Sequence, residues 1–306
     1  MKRLQNKVSE SSLALPVTVI YTIVIWLAAG LIREGWWLQL GCMMLSAFLL
    51  EELNNNNALI RIHTRMVSCS FLALSGIVCF MFHALEGGLT QLFLLGTYLI
   101  LFHTYQDEQS PGLTYYGFLF FGMTSIVFVH ILYYLPFLWI LMLTNLHTFS
   151  WRTFFASLMG VITPYWFYGS WLIYQEDIIR LAQHFTPLWD FQLPFDFTDI
   201  GVHQIITVAF LFVITLLSMI HFWHTAYLDK FRTRQLFSFL IRMDLLTFLF
   251  FCIQPQLGST LTFLMVINTA PLVAHYIALT HTRMTNILFS VMTVATIALT
   301  VYNLWM

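Results

Sequence analysis

The chain has 306 residues, of which 59% are apolar and only 9% charged, against roughly 45–50% and about 25% in an ordinary soluble domain. That balance excludes a soluble fold, and collagen, disordered chains and disulfide scaffolds need glycine, charge or cysteine that this sequence lacks. Thirteen Lys+Arg against fourteen Asp+Glu leave a formal charge of −1, so no basic surface advertises a nucleic-acid partner.

In chain order, Lys2, Arg3 and Lys7 precede an apolar run from Leu13 to Ile32. Its length, about 20 residues, suits a spanning helix better than a signal-peptide core, although Ala28-Ala29-Gly30 has the small residues of a cleavage site. Further apolar runs follow at 36–52, 66–84, 89–104, 113–131, 133–147, 154–175, 203–226, 236–252, 258–278 and 285–304. Each approaches the ~20 residues that cross about 30 Å of hydrocarbon. The runs are continuously apolar, whereas barrel strands would alternate at period two. The sequence therefore predicts an all-α polytopic transmembrane bundle of about 11 spans, a single integral-membrane domain over residues 1–306. Its weakest boundary is Val129 to Pro136, which offers a turn no polar punctuation; one kinked helix there would reduce the count to ten. Cys42, Cys69, Cys79 and Cys252 all fall in apolar runs and read as small hydrophobes.

Alternating the spans from a cytoplasmic amino terminus puts ten basic residues inside: Lys2, Arg3, Lys7, Arg61, Arg65, Arg152, Lys230, Arg232, Arg234 and Arg283. Only Arg33 and Arg180 fall outside, the bias that the positive-inside rule demands. One longer outer loop, at about 175–202, then contains an apolar stripe (Ile178, Leu181, Ala182, Phe185) fit for an interfacial helix. Beyond it, residues 187–199 interleave aromatics with carboxylates.

Ionisable groups at membrane depth are costly and therefore candidates for function. Arg242 and Asp244 lie two apart, about 200° around a helix, and cannot share a face. With its span starting near 236, Arg242 sits close to the cytoplasmic end, where it can snorkel. His221 and His224 have an i, i+3 spacing compatible with a metal, but no third ligand accompanies them. His103, His130 and His275 can bond neighbouring helices. Glu51, Glu52, the run Asn54 to Asn57, Arg61, His63 and Arg65 read as a solvated cytoplasmic loop or as a contact for anionic headgroups. On the outer side, Glu34, Glu86, Glu176, Asp177, Asp190, Asp196 and Asp199 accompany the two arginines. Walker, zinc-protease and nucleophile-elbow motifs are absent, which disfavours ATP hydrolysis and soluble-type hydrolase chemistry.

The stretch Phe149-Ser150-Trp151-Arg152-Thr153-Phe154, with Gly160, Thr163-Pro164-Tyr165, Ala270-Pro271-Leu272 and the Asn-rich segment, resembles an uncharacterised family of polytopic envelope membrane proteins from the Bacteroidota. The resemblance implies a multi-pass protein of the bacterial inner membrane and assigns no catalytic residue. By analogy with membrane glycosyltransferases, the first expectation is a transferase or polymerase acting on polyprenyl-phosphate-linked sugars. In that reading Glu34, Asp190, Asp196 or Asp199 deprotonates the acceptor, Arg33 or Arg180 stabilises the leaving phosphate, and the acidic outer surface has the oxygens to hold a divalent cation, although no cofactor is specified. A transporter or lipid flippase is the alternative, with Arg242, Asp244 and the buried histidines lining a path and Pro136, Pro164 and Pro271 permitting broken helices. A non-catalytic subunit of an envelope complex is the third. Membrane lipids are the common partner.

Overall fold

The computed structural model describes residues 4–62, 64–191, 193–198, 200–280 and 282–306; Lys2, Arg3, His63 and Asp199 lie outside the described residues. The chain is 83% helix, with no strand among the described residues. A short amino-terminal helix α1 (Leu4–Ser9) leads to α2 (Ala14–Ala28), the single turn α3 (Leu31–Glu34), α4 (Trp37–Asn57), α5 (Met66–Ile77) and α6 (Leu85–His103). Then come α7 (Pro111–Val127), α8 (Leu135–Leu141), α9 (Trp151–Tyr174) and the short α10 (Ile179–Phe185) in the long loop. The chain continues through α11 (Val202–Thr225), α12 (Phe231–Ile253), α13 (Gly258–Leu279) and α14 (Arg283–Trp305).

Local chemistry sets several of these boundaries. Pro111 opens α7 at a position where its missing N–H is not needed. Reciprocal capping boxes, Ser150 with Thr153 and Thr282 with Thr285, start α9 and α14. Inside the apolar helices, hydroxyls are satisfied by the preceding turn: Thr22 donates to the Thr18 carbonyl (2.8 Å) and Ser46 to Cys42 (2.8 Å). Such threonines therefore cost little in a non-polar setting.

Six segments among the described residues are long and apolar enough to cross a membrane: Leu85–His103, Val129–Leu146, Val202–Leu228, Phe231–Ile253, Pro255–Leu279 and Arg283–Trp305. This fits a multi-pass membrane protein. Ala14–Ala28 and Met66–Ile77 are apolar but shorter, and α4 ends in Glu51, Glu52 and four asparagines. At the centre, every residue of α13 from Leu264 onward is buried, packed among α5, α6, α11 and α12. By contrast α2, α9 and α14 turn Val17, Val24, Phe155, Trp166, Val294 and Val301 outward, an apolar exterior that suits lipid and not water.

Hydrogen bonds between remote segments define the two ends of the bundle. At one end Gln5 donates through its side-chain amide to the Ile277 carbonyl (2.8 Å) and to the Thr280 hydroxyl, Thr64 donates to Ser9 O (2.8 Å), and Arg61 donates to Leu228 O (3.3 Å). Gln106 N–H meets Leu146 O (2.8 Å) and Ser150 meets Glu108 O (3.1 Å) at this same end. At the other end Gln39 reaches His83 O (3.3 Å), Thr260 reaches Glu86 (3.2 Å), and the Tyr133 hydroxyl donates to Leu188 O.

One expectation is met and two are revised. The turn expected between Val129 and Pro136 is present: α7 stops at Val127, Phe128 is extended, and a 3-10 turn over Val129–Tyr134 starts a separate helix. That helix returns Leu146 to the level of Gln106. The Asn54 to Asn57 run is no solvated loop but the last turn of α4, with Asn54 and Asn57 buried. Asn54 Oδ1 caps Ile60 N–H (3.1 Å), and Asn57 Oδ1 accepts from Arg232 (2.7 Å). Finally, α12 starts at Phe231, not near 236, which places Arg242 half way along its 23 residues.

Candidate functional site

Asp244 is wholly buried on α12. Its Oδ2 accepts from Thr269 on α13 (2.9 Å) and Thr215 on α11 (3.2 Å), and the two hydroxyls lie 2.8 Å apart. Oδ1 has no hydrogen-bond partner within the protein. One turn along α12, Thr247 accepts from Tyr134 (3.3 Å) and donates to Met243 O (2.8 Å). Tyr98 of α6 lies beside Asn268 of α13. The Tyr98 hydroxyl and both Asn268 amide atoms are buried without a hydrogen bond of ordinary geometry. A buried polar atom left unpaired costs ~1–3 kcal/mol, more when charged, so a cluster of them at one depth is not what packing alone selects.

Arg242 points elsewhere, as its two-residue offset requires. Its guanidinium is exposed on the outer face of α12 and donates to Thr144 Oγ1 (3.0 Å) and Asn145 Oδ1 (2.6 Å). Both acceptors sit in a π turn, Met142–Leu146, which re-aims side chains that a regular helix would not present together. Asn145 in turn donates to Gln235 O (3.1 Å), fastening the π turn to α12.

A second buried polar group lies nearer the Gln5 end. Asp229, in the turn before α12, is hydrogen-bonded through Oδ2 to His275 Nε2 (3.0 Å), with both side chains almost fully buried. Arg61 Nε stands 3.8 Å from the other Asp229 oxygen. The His221 ring is 5.8 Å from that of His275, while Phe222 and Phe237 wrap the remaining faces of His275. His221 thus faces α13 and not His224. Among the described residues no group of three His, Cys, Asp or Glu could hold a metal ion.

The outer acids are dispersed. Arg33 pairs with its own neighbour Glu34 (Nε to Oε1, 2.7 Å) on the one-turn α3, which fits between Gly30 and Gly35 because both glycines take positive φ (105° and 72°). Asp196 closes a local turn, accepting from Thr198 Oγ1 (2.6 Å) and N–H (3.1 Å). The Thr198 hydroxyl, followed by its N–H, holds the Asp196 carboxyl below the usual carboxylate range. Arg180 on α10 and Asp190 beyond it are exposed. Among the described residues no ion pair or hydrogen bond joins Arg33 or Glu34 to Arg180, Asp190 or Asp196; Asp199 falls outside them.

The long loop is held down by aromatics. The Tyr133 ring sits tilted against Phe191 (centroids 5.4 Å apart), and Phe197 against Phe251 (6.1 Å). Of the expected apolar stripe, Leu181 and Phe185 are half-buried while Ile178 and Ala182 are exposed. Under Phe197 a cleft of about 410 Å³ opens between α11 and α12, lined by Val208, Phe212, Leu245, Phe248 and Phe251. A second apolar cleft, about 270 Å³, lies between α2 and α14 over Cys69 and Val273.

Thr215, Thr269, Asn268, Tyr98 and Asp229 are not singled out by the sequence. Their only signal is polar residues recurring three or four apart in apolar helices, and self-satisfied threonines produce the same pattern. No protein-family model, curated protein or solved structure matches this chain.

Proposed function

We propose that this chain is a multi-pass transporter of the bacterial inner membrane that couples proton movement to passage of an amphipathic, lipid-like substrate, with Asp244 carrying the proton. The observation that carries the reading is Asp244 itself: a buried carboxyl where α11, α12 and α13 meet, held through one oxygen by two hydroxyls and unpartnered at the other. A carboxyl in that setting is expensive unless it is used. Substrate class follows from the two large clefts, which are apolar and favour entry from the bilayer over entry from water. In the same reading the chain crosses eleven times, with α2, α4, α5, α7 and α9 joining the six longer segments. The Gln5 end, which gathers Arg61, Arg65, Arg232 and Arg234, is cytoplasmic.

The test is proton flux into vesicles of bacterial total lipid extract that hold the purified protein and a trapped pH dye. Wild-type protein should collapse an imposed pH gradient faster than protein-free vesicles, and Asp244→Asn should slow that collapse at least tenfold while eluting as a single folded species in detergent. Flux in Asp244→Asn equal to wild type, or wild-type flux equal to that of bare vesicles, overturns the reading.

A second reading, transfer from a polyprenyl-phosphate-linked sugar, draws support from the cleft beneath Phe197, next to Asp196. It requires Glu34→Gln, Asp190→Asn or Asp196→Asn to abolish transfer from such a donor, and unchanged transfer in all three removes it.

A further inference from the structure

Among the described residues, five of the buried polar atoms that lack a hydrogen-bond partner fall on one line. On α11, Thr215, Ser218 and His221 are spaced three apart, so they share a face and rise about 4.5 Å per step. That face is turned to α13: Thr215 bonds Thr269 (2.8 Å), and the His221 ring lies 5.8 Å from His275. From His275 the line continues through its 3.0 Å contact to Asp229 and ends at Arg61, whose side chain is partly exposed. Ser218 Oγ, His221 Nδ1, His275 Nδ1, Asp229 Oδ1 and Asp244 Oδ1 are all buried without a hydrogen-bond partner in the protein. Packing has no reason to string four such atoms between the exposed Arg61 and the equally unpartnered oxygen of the central carboxyl.

We propose that Asp229, His275, His221, Ser218 and Thr215 form a proton path from the Arg61 end of the bundle to Asp244. The inference rests on the reading of Asp244 as the proton carrier. A proton from water at the Arg61 end binds Asp229, passes to His275 Nε2 in the tautomer that leaves Nε2 bare, and the N–H on Nδ1 is released onward to His221, which takes a proton on one ring nitrogen and gives one up from the other. Each hydroxyl accepts one proton and gives up its own. One proton enters, one arrives on the Asp244 carboxylate, and no electrons change hands. Along α11 a rise of about 4.5 Å per step exceeds a direct hydrogen bond, a gap that one water would bridge, whereas Asp229 to His275 and Thr215 to Asp244 are direct contacts. Asp229 orients His275 and balances its charge when protonated. The other charged or titratable groups around the two rings are Arg61, His224 and Tyr276, with Phe222 and Phe237 closing the sides.

The experiment is the same vesicle assay on Ser218→Ala, His221→Leu and His275→Gln, with Ser218→Thr as the variant that keeps the hydroxyl and Ser170→Ala on α9, whose hydroxyl bonds only its own preceding turn, as a change off the line. Ser218→Ala and His221→Leu should each slow proton entry about tenfold or more, while Ser218→Thr and Ser170→Ala stay near wild type. If Ser218→Ala and His221→Leu both run at the wild-type rate while Asp244→Asn is inactive, the path is wrong and the Asp244 reading survives. Wild-type flux in Asp244→Asn removes both. His275→Gln leaves Asp229 without its imidazole and can fail to fold, so Ser218 and His221 decide the test.

Discussion

Arg232 shows what a single side chain does at the crowded end of the bundle. Its guanidinium donates to Asn57 Oδ1 (2.7 Å) at the end of α4 and to Phe102 O (3.2 Å) at the end of α6, and stands 5.6 Å over the Tyr105 ring. Charge-assisted hydrogen bonds contribute ~1.5–3 kcal/mol when sheltered, and Arg232 is exposed, so Asn57→Ala should cost about 1 kcal/mol. Thermal unfolding in detergent would read this as a lowered midpoint, and an unchanged midpoint would mean that Arg232 finds another acceptor. At this scale the sequence is half legible. Asp244 stands out because a carboxylate interrupts an apolar run. Its partners do not, because threonine is common in such helices and bonds its own preceding turn. Asp229 reads as an ordinary loop charge beside Lys230, and its partner His275 is 46 residues away. The depth of Arg242 is hidden because Phe231-Arg232-Thr233-Arg234 looks like polar punctuation yet continues the helix.

Between elements, close approach rather than polarity sets the α7 and α9 pairing. A methyl group added at Gly160 would lie 2.5 Å from Tyr115 O and 3.0 Å from Leu119 N, both main-chain atoms that cannot swing away. Gly160→Leu should therefore force the helices apart at a cost of ~1–3 kcal/mol or more, whereas Gly112→Ala, with open space at its Cβ, should leave the unfolding midpoint unchanged. Equal midpoints for both variants would show that the crossing is looser than its geometry. The reversal at Phe128 has no polar residues to mark it for a related reason, and the sequence points to it only through the side on which the later arginines fall. Its backbone is satisfied by the 3-10 turn over Val129–Tyr134 and its side chains are largely buried, so the bend needs no polar residues to mark it. Helix existence could be read from apolar runs; helix ends could be read only where Pro111 or a capping box wrote them.

For the molecule as a whole, the two ends make a topological prediction. In a cysteine-free background, Asp177→Cys in the long loop should react with a membrane-impermeant maleimide in intact cells, while Arg234→Cys should react only after permeabilisation. Labelling of Arg234→Cys from outside would invert the bundle and take the proposed direction of the proton path with it. The clasp between Gln5 and the carboxyl end of α13 bears on how the protein is made. Its partners are 272 residues apart, so at the usual ~5–20 residues per second of synthesis the first helix waits roughly 15–55 seconds for its seat. During that interval α1 is free at the membrane surface. Its docking is among the last contacts a nascent chain can make, which turns Gln5 into a natural reporter of completed assembly.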